Sequence, residues 1–225
     1  MRRRRWIAGL CGLALGRVVT AAAAAQLPQL VTADGRWRAE AEDDGRTLVL
    51  RDAEGTVRRR LPARSLDGTR RGAITAIAEL PARRSLAVGF DGLDELWEVS
   101  LDPAAAPIFD GLVHDYRMGE AIATPGFLGA RRIPLAGRVL ALREGAQAPQ
   151  LLALLGGEPP ALHLVNLDVR RSLSDVPVPP GADLRAAQWH DEAPGPARLR
   201  VPTGGGPGNV VTFEVGSTTL RVLAP

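Results

Sequence analysis

The chain has 225 residues, 28 basic against 25 acidic, for a formal net charge of +3 and a pI near 10.2. Every basic residue is arginine. A chain without lysine cannot run Schiff-base chemistry or supply the lysine of a Walker phosphate loop.

The first 25 residues read as a secretory leader. Arg2 to Arg5 form a charged start, Trp6 to Leu15 a short apolar stretch, and the alanine run ending at Ala25 supplies cleavage sites. The apolar stretch is too short to span a bilayer, so no integral membrane segment is expected after cleavage. Export to the periplasm follows, by the Sec route or, given Arg3-Arg4-Arg5-Trp6-Ile7, the twin-arginine route. Cleavage after Ala25 removes five of the 28 arginines and none of the 25 acids, which leaves a net charge of −2. The high pI therefore belongs to the leader, and nucleic acid is not an expected partner. Cys11, the only cysteine, also leaves with it. Thiol catalysis, disulfides, iron–sulfur ligation and covalent haem attachment are excluded for residues 26–225.

Short apolar runs broken by Gly, Pro, Asp and Arg fill the rest, without helix-length amphipathic stretches. Leu30 to Ala33 precedes the turn Asp34-Gly35-Arg36, and Thr47 to Arg51 leads to Asp52. Ala73 to Glu79 turns at Pro81-Ala82-Arg83-Arg84, continues as Ser85 to Phe90, and is followed by Leu96 to Leu101. Val139 to Leu142, Gln150 to Leu155 and Leu162 to Leu167 make a third group. Leu184 to Trp189, Ala197 to Val201 and Asn209 to Val215 make a fourth, with Gly204 to Gly208 as a hairpin turn. A unit of about 40 to 50 residues is the period of a four-stranded propeller blade. The expected fold is all-β, a propeller-like array of about four antiparallel blades forming one domain over residues 26–225. An irregular β-sandwich is the alternative.

The gap between the second and third groups is longer, and holds the segment from Gly111 to Arg132. It gathers the only tyrosine, Tyr116, with His114, Asp115, Arg117, Met118, Glu120, Arg131 and Arg132. We read it as an insertion between the second and third units, the place where repeat folds often carry function. His114 is either a ligand-facing group or a loop histidine fixed by Asp115 or a carbonyl. Tyr116 stacks on a flat ligand or packs between blades. Arg117 either contacts a ligand or pairs with Glu120 three residues on. Arg131 and Arg132 either clamp carboxylates or form a solvated turn. His163 and His190 lack metal-ligand spacing and read as structural or exposed. Asp94 and Glu95 point to opposite faces of a strand, which argues against their acting as an acid–base pair.

The runs Ser65 to Thr69, Ala73 to Ile77, Pro81 to Val88, Leu93 to Pro103, Pro107 to Arg132 and Val165 to Arg171 together resemble the haem d1-type propeller family. The resemblance covers roughly residues 65 to 180. It implies a periplasmic eight-bladed propeller, here present in part, with a tetrapyrrole across its central channel. It implies haem d1 or another haem as cofactor, His114 as the iron ligand, and His114, Tyr116, Arg117, Arg131 and Arg132 as the residues around it. Guanidinium groups suit the macrocycle's carboxylates. A non-catalytic interaction module without cofactor is the other expectation, with its exposed blade edges covered by a homodimer or a partner protein. Neither a nucleophile motif nor a metal constellation marks the chain as an enzyme.

Overall fold

A computed structural model describes residues 26–109, 123–190, 196–204 and 208–223. They form four antiparallel four-stranded sheets in chain order. Sheet one holds β1 (Gln29–Val31), β2 (Trp37–Glu42), β3 (Thr47–Asp52) and β4 (Val57–Pro62). Sheet two holds β5 (Ala73–Leu80), β6 (Ser85–Asp91), β7 (Glu95–Ser100) and β8 (Ala130–Pro134). Sheet three holds β9 (Val139–Glu144), β10 (Gln150–Leu155), β11 (Ala161–Asn166) and β12 (Arg171–Pro177). Sheet four holds β13 (Gln188–His190), β14 (Ala197–Pro202), β15 (Val210–Val215) and β16 (Leu220–Leu223). The only helix among the described residues is one 3₁₀ turn, Pro81–Arg83. The fold is all-β and propeller-like, each sheet a blade whose strands follow one another in sequence.

Alternation along each strand builds the packing between blades. In β6, Leu86, Val88 and Phe90 face sheet one and join Leu48, Leu50 and Trp97 in one core cluster. The intervening Ala87 faces sheet three and joins Leu96, Ile133, Leu151 and Ala153 in a second. In β10, Leu151 and Ala153 point to sheet two, while Leu152 and Leu154 meet Leu199, Val201 and Phe213 of sheet four. Strands in the middle of a blade are thus buried on both faces, which is why β10 reads Gln-Leu-Leu-Ala-Leu-Leu with no exposed position. Polar ties supplement these cores. Glu79 accepts from the Ala33 N–H at 2.8 Å, Thr75 donates to the Val139 carbonyl at 2.5 Å, and Gln150 donates to the Gly216 carbonyl at 2.7 Å.

Two features differ from the sequence expectation. The insertion lies inside sheet two, between its third and fourth strands, and not between two units. After the excursion the chain returns as β8 and pairs with β7, Arg132 opposite Trp97 and Arg131 opposite Glu98. Arg131 and Arg132 are therefore strand residues, not a turn. The strand expected over Leu184 to Trp189 is confined to Gln188–His190. The Asp183 carboxylate accepts the N–H groups of Arg185 and Ala186 at 2.9 and 3.3 Å, an Asx turn that diverts this backbone from a ladder. Leu184 and Ala187 still bury their side chains in the third core.

Candidate functional site

Arg131 and Arg132 occupy adjacent positions of β8 and so project to opposite faces. Arg131 reaches Glu98 of β7, its Nε at 3.0 Å from Oε2 with Nη2 on the same oxygen. Glu98 is buried, and Arg83 Nε and Ser85 Oγ also donate to its Oε1, at 2.7 and 3.0 Å. Burial pushes this carboxyl upward, but hydrogen bonds from Arg83 and Arg131 outweigh it and hold Glu98 below the ordinary glutamate range. Arg83 continues to Asp168 of the neighbouring blade at 2.9 Å. Arg132 pairs with Glu95 at 2.5 Å, donates to the Arg64 carbonyl at 2.9 Å and lies 4.9 Å over the Trp97 ring. Both guanidinium groups are thus committed to protein carboxylates. Asp94 and Glu95 serve separate arginines, Arg70 and Arg132, in keeping with their opposite faces.

The limbs of the insertion are anchored by the same neighbourhood. Ile108 and Thr124 exchange backbone hydrogen bonds, both 2.9 Å, and close the loop at its base. The return limb Gly126-Phe127-Leu128-Gly129 is a tight turn in which Leu128 has φ +54°. A Cβ on Gly126 would sit 2.0 Å from the Ala106 carbonyl oxygen, so only glycine fits there. Phe127 meets Trp37 of sheet one edge-on at 5.8 Å, and Leu128 is buried in the first core. A polar cavity of about 350 Å³ opens between this turn and the Glu98 cluster. His114, Tyr116 and Arg117 lie outside the described residues, as do Met118 and Glu120.

A larger groove, about 640 Å³, runs along the first strands of the blades. These strands lie side by side, β1 next to β5 and β5 next to β9. Leu27, Pro28, Ile77 and Leu140 supply its apolar surface, Gln26, Gln29 and Thr75 border it with polar groups, and Arg138 and Arg185 supply the charge. Arg138 has Asp91 at 3.6 Å; both side chains are more than half exposed, so the pair leaves the guanidinium available. The groove continues between sheets three and four past Leu140 and Leu154. Sequence reasoning missed both arginines. The available signal was position: each stands just ahead of the first strand of a unit. Among the described residues no group of three or more His, Cys, Asp and Glu side chains could hold a metal ion. His163 is half-buried with its Nδ1 3.1 Å from Ser172 Oγ, and burial lowers its pKa. No helix among the described residues is long and apolar enough to cross a membrane.

No family model and no curated protein matches the sequence. Solved structures do. The dihydro-haem d1 dehydrogenase NirN, in complex with DHE, superposes with a TM-score of 0.63 at 18% identity, over 85% of this chain and 36% of its own. A 6-phosphogluconolactonase candidate from Bacteroides uniformis superposes with a TM-score of 0.50 at 13% identity, over 85% of this chain and 55% of its own. The chain thus spans about a third of NirN and about half of the second protein. At such identities the likeness establishes the β-propeller-like fold and nothing finer.

Proposed function

We propose that this chain is a periplasmic, haem d1-type propeller protein that binds a tetrapyrrole in the groove along its first strands, in a non-catalytic accessory role in haem d1 or denitrification chemistry. The groove carries the reading: apolar surface from Leu27, Pro28, Ile77 and Leu140 lies beside Arg138 and Arg185, whose guanidinium groups suit a macrocycle's carboxylates. The fold's likeness to a protein solved with DHE supports it. Arg138 and Arg185, both exposed, suit the macrocycle's carboxylates. On the family resemblance alone, His114 would be the iron ligand. Such a group would supply iron redox chemistry, and Arg138 and Arg185 would hold and orient it by its carboxylates.

Titrating the chain from Gln26 onward with haem and with haem d1, and recording absorption spectra, tests this. A shifted Soret band is expected, with affinity about tenfold lower in Arg138→Ala/Arg185→Ala, a loss typical of one or two charged hydrogen bonds. His114→Ala is expected to change the ligation spectrum. No spectral change with either cofactor sinks the reading. The commitment of Arg131 and Arg132 to Glu98 and Glu95 favours a second one, in which the propeller is kept as an interaction scaffold without cofactor.

A further inference from the structure

The cavity at the root of the insertion shares no lining residue with the groove along the first strands. In β7, Leu96 faces sheet three, and by alternation Glu98 and Ser100 share that face. Ser85, opposite Ser100 in β6, and Arg131, opposite Glu98 in β8, lie on it too. Gly126, Gly129 and residues 105–108 complete the wall.

Two guanidinium groups share one carboxylate here. The Glu98 side chain is 7% exposed, and those of Arg83 and Arg131 are less than a quarter exposed. The second partner of Arg83, Asp168, is 61% exposed, so water screens most of its charge. Asp102, on the cavity wall, is paired with Arg84 and accepts the Ala104 N–H at 3.0 Å. Arg170 also lines the cavity and has its own interactions. Without counting it, the wall keeps a positive surplus where it is least solvated. Both Glu98 oxygens are occupied, Oε1 by Arg83 and Ser85, Oε2 by Arg131. Arg131 meets Glu98 through one edge of its guanidinium, Nε and Nη2. The other edge, an Nη1–H beside the second Nη2–H, has no hydrogen-bond partner among the described residues. Ser100 Oγ accepts the Asp102 N–H at 3.1 Å and keeps its own O–H to give.

We propose that this cavity binds a small organic monocarboxylate, whose two oxygens take the paired Nη1–H and Nη2–H groups of Arg131 while Ser100 Oγ donates to one of them. Planar, parallel N–H groups match a carboxylate, and Glu98 fixes their plane by holding the opposite edge. A volume of about 350 Å³ suits a small molecule. A dianion fits less well, because Glu98 and Asp102 would meet its second charge.

An NMR titration of backbone amides with L-lactate tests this, beside its neutral amide, lactamide, and inorganic phosphate. Saturable shifts are expected at the Ser100, Gly126 and Gly129 amides, with a Kd on the order of 1 mM for so small a ligand. Lactamide is expected to bind about tenfold more weakly. Arg131→Lys keeps a cation beside Glu98 but loses the flat N–H pair, and is expected to weaken lactate about tenfold while amides away from the cavity keep their positions. No saturable shift at the cavity amides, shifts centred on Arg138 and Arg185 instead, lactamide bound as tightly as lactate, or phosphate bound more tightly would each overturn the proposal. So would Arg131→Lys binding lactate as the parent does. The parent chain alone decides all but the last outcome, so they do not depend on how the variant folds.

Discussion

Glu98 takes hydrogen bonds from Arg83, Ser85 and Arg131, three side chains on three segments, and through Arg83 it is tied to Asp168 of the next blade. Removing one partner of a buried ion pair leaves the others uncompensated. Glu98→Gln is therefore expected to destabilise the protein by about 3 kcal/mol at neutral pH, measured by urea unfolding. The pH dependence has a definite sign. The folded-state pKa of Glu98 lies below the ordinary 4.5. Its contribution is complete above that ordinary value and is lost as the pH falls through the lowered one. The gap between parent and variant should close in acid. In the sequence Arg131 and Arg132 were legible as cations near a candidate ligand loop. Their commitments were not, because Glu98 and Glu95 lie more than 30 residues away and meet them only through β-pairing. Arg138 and Arg185 escaped notice because solitary arginines ahead of strands look like solvated turn residues.

At the scale of elements, the apolar runs marked the inner and middle strands of sheets two and three well, but missed β2, Trp-Arg-Ala-Glu-Ala-Glu, whose charged positions break any apolar run. The fourth strands were harder to see. β4 reads Val-Arg-Arg-Arg-Leu-Pro and is almost wholly exposed, so no alternation marks it. β8 reads Ala-Arg-Arg-Ile-Pro, with one buried position, and overlooking it displaced the insertion to a gap between blades. Blades are also matched by what is missing. A Cβ on Gly89 of β6 would lie 2.4 Å from a Val139 methyl group of β9, so this glycine lets sheet three approach sheet two. Gly89→Ala forces the two sheets apart and should cost about 1–3 kcal/mol, read as a lowered midpoint in thermal unfolding. Gly55, on an open turn with nothing within 4 Å, makes no such contact with a neighbouring blade.

Across the molecule, each core cluster is shared by two consecutive sheets: one with two, two with three, three with four. Stability in such an array is approximately a sum over blades and their nearest-neighbour interfaces. Sheets two and three each have two of these interfaces, and sheets one and four have one. Amide hydrogen exchange should accordingly be slowest in β6 and β10 and faster in β14 and β15. Gln150→Ala, which removes the tie to the Gly216 and Ser217 carbonyls, should raise exchange in sheet four and leave sheet one unchanged. Uniform protection over all four sheets would contradict this picture. The repeat itself was legible because its period is set by strand length and turn chemistry, both local properties. Which face of the array carries charge was not, since that depends on register between strands.

The closed base of the insertion has an evolutionary meaning. The Ile108–Thr124 bridge and the Gly126 to Gly129 turn fix the entry and exit of the chain independently of the residues between them. Sheet two is complete whatever sequence is spliced there. Selection can rewrite that stretch while the blade beneath it goes on folding as before.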